Sequence, residues 1–142
     1  MQRLEKDQEN LFGYELIASL QQENQLLEQQ AANYERLYEM QQQEAAELRE
    51  QLGTMGVMFD ASGAITNYAA ATSAALQAYA AAIEQYNAGL IDETTLGVFE
   101  KSYENFKKLL ERYDQLYYTE MQDTQDKLDD IWRKQLANNL KA

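Results

Sequence analysis

The chain has 142 residues, 24 acidic against 12 basic side chains for a net charge of −12, and no proline, cysteine or histidine. Without cysteine there is no disulfide framework and no thiolate metal site, and without histidine the usual general base and the commonest metal ligand are missing. The acidic balance argues against a grip on nucleic acid, because phosphate contacts need clustered Lys and Arg and here the basic residues are scattered among carboxylates.

At average usage a chain of this length would hold about seven prolines, so their absence favours long uninterrupted helices. No apolar stretch approaches the roughly 20 residues that span a bilayer. Residues 1–20 carry charges where a signal peptide would be apolar, so the chain reads as soluble, without a membrane span.

The first element is a long helix over residues 1–52. A heptad stripe runs through Ile17, Leu20, Asn24, Leu27, Ala31, Tyr34, Tyr38, Gln41, Ala45, Leu48 and Leu52, with Asn24 and Gln41 as its polar members. Gly13 falls on a seam position ahead of this stripe, and the helix is expected to fray or bend there. Carried to Leu52 it is about 75 Å long at 1.5 Å per residue. Its runs of Gln and Glu, such as Gln21-Gln22 and Gln41-Gln42-Gln43, read as the solvated outside of a coiled coil.

Residues 53–66 form a glycine-bearing corner. Gly53 and Gly56 are expected to end the helix by supplying the left-handed cap conformation. Val57-Met58-Phe59-Asp60 and Ala64-Ile65-Thr66 then read as a short β-hairpin closed by an Asp60-Ala61-Ser62-Gly63 turn. A lone hairpin is marginal in water, so Phe59 and Ile65 are expected to dock against the helix ends. Asp60 and Ser62 do not make a calcium loop, since the closing Glu of such a loop would fall on Ala71.

Asn67 is the expected N-cap of a middle helix over 67–89, which stops at Asn87-Ala88-Gly89. Tyr68, Thr72, Leu76, Tyr79, Ile83 and Tyr86 form its stripe, and its many alanines allow close approach, which suits the centre of a three-helix section. Asp92 then caps a long helix over 92–140. Phe99, Tyr103, Phe106, Leu110, Tyr113 and Tyr117 keep heptad spacing, and Met121, Thr124, Leu128, Ile131 and Gln135 continue it after two consecutive steps of four, a stutter that unwinds a supercoil locally. This helix is close to 70 Å long, more than twice the middle one, so unmatched seams predict association with a second copy or another coiled-coil protein. Trp132, one residue off the stripe, is a candidate partner contact.

No chemistry is offered. Ser19, Ser62, Ser73 and Ser102 have no histidine to activate them, and Asp123, Asp126, Asp129 and Asp130 fall beside the apolar stripe as a solvated face. The expectation is a non-enzyme without catalytic, metal or cofactor-binding residues and without a small-molecule substrate.

The corner carries a resemblance. Phe59, Asp60, Gly63, Ile65, Asn67 and Tyr68 match a Phe-Asp-x-x-Gly-x-Ile-x-Asn-Tyr corner between long helices that resembles one in the large helical virion proteins of tailed phages, especially tape-measure proteins. The resemblance implies a rod-like component that sets tail length and lies in the tail lumen until ejection. The chain departs from those proteins in size, since they are usually much longer, which implies a fragment or a small relative. The expectation is therefore an all-α, antiparallel or three-helix coiled-coil rod with one β-hairpin corner, working by helix–helix association in a phage virion. The alternative is a small coiled-coil adaptor in the host cytoplasm that binds a partner helix through its Tyr/Trp stripe.

Overall fold

The computed structural model describes residues 2–141, with side chains placed from Gly13 onward. The fold is all-α. Helix α1 spans Gln2–Thr54, α2 Tyr68–Asn87, α3 Glu93–Asp114 and α4 Met121–Lys141, and a π-helical turn, Gln115–Glu120, joins α3 to α4 without a break in the helix. The chain divides into two compact units, one of Met1–Met40 with Gln122–Ala142 and one of Gln41–Met121.

In the first unit α1 and α4 pair antiparallel. Asn24 meets Asn139, and Tyr38, fourteen residues further along α1, meets Gln125, fourteen residues back along α4. Leu27 and Ala31 pack with Leu128 and Ile131, and Tyr34 closes over this cluster with the Lys127 ammonium 5.4 Å from its ring centre. Leu20 is buried too, while Ile17 at the head of the stripe is exposed. Asn24 sits among these apolar side chains with both ends of its amide in use: it donates to Asn139 Oδ1 at 3.0 Å and accepts from Asn138 Nδ2 at 3.0 Å. A slipped register would strand the buried Asn138 amide, so this contact selects the pairing.

In the second unit Ala45, Leu48 and Leu52 of α1 are buried, as are Phe106 and Leu110 of α3. Helices α2 and α3 form an antiparallel hairpin: Tyr68 bonds Asp114, and eleven residues on, the rings of Tyr79 and Tyr103 stack 5.4 Å apart. The buried positions of α2 are Ala71 and Ala82, whereas Leu76 and Ile83 of the expected stripe are exposed. Small side chains let the two backbones approach, and the larger ones are turned outward.

Several expectations are corrected. Gly13 interrupts nothing, because α1 runs through it. Gly53 is helical; the left-handed residue is Gly56, at φ 94°. Gly56 N–H bonds Gly53 O at 3.2 Å and Val57 N–H bonds Leu52 O at 3.1 Å, the two hydrogen bonds of a Schellman stop, and both Leu52 and Val57 are buried. The β-hairpin does not form: among the described residues there is no strand, and the corner holds a single antiparallel bridge between Phe59 and Ile65. Too few residues separate the Schellman stop from α2 for a ladder to extend. Asn67 stands at the head of α2 but makes no cap bond with its side chain, which is used in the corner. Asp92 does cap α3, accepting from Thr95 N–H at 2.7 Å.

The stutter is absorbed by the π turn. Tyr113, Leu116 and Met121 are buried there, and Leu116, which no heptad position marked, is among the most completely buried side chains. A turn closed by i→i+5 hydrogen bonds returns residues five apart to one face, as it does Leu116 and Met121.

The two neighbouring glycines where α1 ends should respond oppositely to alanine. Gly53→Ala, with open space around its Cβ, is expected to raise stability by about 0.5–1 kcal/mol, and Gly56→Ala to lower it by about 1 kcal/mol or more, as read by thermal unfolding followed by circular dichroism.

Candidate functional site

Among the described residues the corner is the longest non-helical segment, and it is built around carboxylate, amide and phenol side chains. Asp60 organises the turn. Its Oδ1 accepts from the Ser62 hydroxyl at 2.6 Å, Ser62 N–H at 2.9 Å and Ala64 N–H at 3.0 Å, while its own N–H donates to Ala64 O at 2.9 Å. These donors, the Ser62 hydroxyl first, hold the Asp60 carboxyl below its usual range. Asn67 ties the two ends together: its Oδ1 accepts from Met58 N–H at 2.7 Å and its Nδ2 donates to Gly56 O at 2.9 Å. A side chain nine to eleven residues distant thus satisfies the backbone that a strand would have paired.

Three tyrosines of the α3 end and the π turn form a cradle for this loop. Tyr113, fully buried, donates its hydroxyl to Gly63 O and accepts from Arg49 Nη1 at 3.3 Å. Tyr117 donates to Ser62 O at 2.8 Å, and Tyr118 accepts from Ile65 N–H at 3.2 Å. In a regular α-helix, residues 113 and 118 would point about 140° apart, so the wider π turn is what lets both phenols reach the same loop. The rings also pack on one another: Tyr113 stacks on Tyr117 with centroids 5.4 Å apart, Tyr118 meets Tyr117 edge-on at 4.8 Å, and Phe59 meets Tyr113 edge-on at 5.1 Å.

Gly63 is the tightest point. Its φ is 99°, and a Cβ there would lie 3.1 Å from Arg49 Nη1, 3.1 Å from Tyr117 Cε2 and 3.2 Å from Tyr113 Oη. Both the backbone conformation and the closeness of the cradle exclude a side chain. Just outside the cradle, Tyr68 bonds the Asp114 carboxylate. Burial pushes the Asp114 carboxyl up, opposed by that hydrogen bond; burial first, and then the Asp114 charge, pushes the Tyr68 phenol up. Arg112 adds a surface clamp, with Nε and Nη2 on the two Glu44 oxygens at 2.7 and 2.9 Å and Nη1 on Glu120 at 3.0 Å. With these side chains about 35–40% exposed, the clamp contributes on the order of 0.5–1 kcal/mol.

The corner residues Phe59, Asp60, Gly63, Ile65 and Asn67 therefore each hold a distinct part of this loop, together with Gly56, whereas Tyr68 opens α2 and bonds Asp114 and Gly53 lies in the helix before the loop. Of the seam residues, Leu20, Leu27, Leu48, Leu52, Phe106, Leu110, Tyr113, Leu128 and Ile131 are buried, Tyr34, Tyr38, Tyr103 and Tyr117 are half-buried, and Ile17 and Phe99 are exposed. Arg49, Leu116 and Tyr118 belong to the cradle and its support but were not marked by heptad spacing. The available signal was the Leu116-Tyr117-Tyr118 run at the stutter. Trp132 is 50% exposed.

A cleft of about 290 Å³ lies between α2 and α3, lined by Met55, Ala75, Ala78, Tyr79, Phe99, Ser102, Tyr103, Asn105 and Phe106. Among the described residues no group of three or more Asp and Glu is placed to hold a metal ion, and no helix is long and apolar enough to cross a membrane. No protein-family model matches the chain, and neither a curated protein nor a solved structure shows similarity to it.

Gly63→Ala is expected to destabilise the protein by about 2 kcal/mol or more, the sum of a positive φ and a displaced cradle, in chemical denaturation. A second outcome concerns pH. Burial raises the Tyr113 phenol above its ordinary value near 10, so folding favours the protonated form. Its contribution is complete below that value and is lost as pH rises through the folded one. Stability measured from pH 9 to 11.5 should fall more steeply in the native chain than in Tyr113→Phe, which starts lower by about 1–2 kcal/mol because the Gly63 carbonyl loses its donor.

Proposed function

We propose that the protein is a structural component that works by helix–helix association, a coiled-coil element with a fixed corner, and that it serves in a phage tail or its assembly. The observation that carries the first part is the use made of the polar side chains at the corner. Asp60, Asn67, Tyr113, Tyr117 and Tyr118 are spent on the loop backbone, and Asn24 with Asn138 and Asn139 on helix register. Such an arrangement fixes geometry: even the Ser62 hydroxyl on the Asp60 carboxylate is part of the turn. An enzymatic role is accordingly not proposed.

Support for the tail reading comes from the six corner residues that resemble tape-measure-like proteins, five of which hold part of the loop while Tyr68 bonds Asp114. A second reading, a small adaptor that recognises one partner helix, draws on the exposed Trp132.

Molar mass by light scattering across a hundredfold dilution tests association. A dimer or larger species is expected at the concentrated end, and a monomer throughout overturns the association reading in favour of the adaptor. Mass spectrometry of purified tailed particles tests the setting: the chain is expected among the virion proteins, and its absence from intact particles overturns the tail assignment.

A further inference from the structure

We infer that the α2–α3 cleft receives the C-terminal turns of α4 from a second copy of this chain, with Trp132 as the anchor, an inference that rests on the association reading above. The cleft is an unfilled helix position. Helix α1 runs antiparallel to α3 and ends beside it, with Thr54 and Met55 next to Asn105 and Leu109. Helix α3 begins twelve residues before Asn105, at Glu93, and pairs with α2. The cleft is open: Phe99 on its wall is 39% exposed, and the walls carry Ala75, Ala78 and Ser102, small enough for a helix backbone to come close.

A volume of about 290 Å³ lies at the lower edge of small-molecule pockets, which run from about 300 to 1,000 Å³, and matches one large side chain with its neighbours. The chain itself supplies such a side chain. Trp132, Leu136 and Leu140 recur every four residues along α4 and are 50%, 60% and 80% exposed, the spacing by which a helix presents anchors to a groove.

Charge selects the occupant. Residues 131–141 hold Arg133, Lys134 and Lys141 and no carboxylate, while the hairpin tip beyond the cleft, residues 84–100, holds Glu84, Asp92, Glu93 and Glu100 and no base; at the cleft wall itself Lys107 lies over the Tyr103 ring. Two copies of a chain with net charge −12 repel at most relative placements, and this one sets a cationic helix end against an anionic tip. The two surfaces differ, so the contact pairs unlike positions: the anchor of one copy enters the cleft of another.

The chain has no cysteine and a single tryptophan, so both probes report without background. Ser102→Cys and Leu136→Cys, made as separate full-length proteins, are mixed and oxidised; the mixture is expected to give at least about fivefold more disulfide dimer than either variant alone, as pairing of position 102 with position 136 requires. In the native chain Trp132 emission should shift to shorter wavelength as concentration rises. Ala78→Lys, at an exposed position that leaves the helix intact, should abolish the shift, and raising salt from about 0.05 to 0.5 M should weaken association by about tenfold. A chain that associates with unchanged Trp132 emission, and equally well as Ala78→Lys, overturns this inference and leaves the association reading standing. A chain monomeric throughout overturns both.

Discussion

The fully buried Tyr113 hydroxyl, between Gly63 O and the Arg49 guanidinium, is the contact on which the second unit depends. A long helix that must reverse direction exposes backbone donors and acceptors at the turn, and burying them without partners costs about 1–3 kcal/mol each. Sheets meet this cost by pairing strands. Here the loop is too short for a ladder, so side chains take over: Asp60 and Asn67 from within, and Tyr113, Tyr117 and Tyr118 from the helix against which the loop lies. The phenols also carry ring area that packs under Phe59, so one set of residues supplies both the apolar contact and the hydrogen bonds of the corner.

That arrangement explains the π turn. Helical geometry at 3.6 residues per turn aligns Tyr113 with Tyr117 but turns Tyr118 away, while burial of Leu116 and Met121 on one face requires a five-residue step. Both demands are met by widening the helix over Gln115–Glu120. A π segment gives up ordinary i→i+4 hydrogen bonds, and it persists here because the surrounding contacts over-determine it: a buried leucine on one side and two phenols bonded to a loop on the other. The same turn carries Glu120, one of the two carboxylates on Arg112.

Local spacing made the long helices legible. From Leu20 to Leu52 the three-and-four spacing of the α1 stripe falls on buried or half-buried side chains, because a heptad seam depends only on near neighbours along one helix. What spacing could not resolve was choice among similar residues. Gly53 and Gly56 look alike until the Schellman hydrogen bonds identify the left-handed one. In α2 the large residues Leu76 and Ile83 outweigh alanine on any hydrophobic count, yet close packing of two helices favours the alanine face. Asn67 suits an N-cap, but its amide is needed nine and eleven residues back, at Met58 and Gly56. The cradle is the extreme case: Ile65 and Tyr118 are 53 residues apart, and nothing within either local segment specifies that a phenol will satisfy that backbone N–H.

Polar groups do opposite things in the two units. In the first, Asn24 sits in an otherwise apolar seam and bonds Asn138 and Asn139; an aliphatic residue there would add burial but leave several antiparallel registers close in energy. The amides thus give up some stability for a unique pairing. In the second, polar side chains do not choose between registers but make a sharp reversal tolerable, since the loop has no alternative pairing to exclude. The two uses are complementary: one stops paired helices from sliding, the other stops the corner from opening.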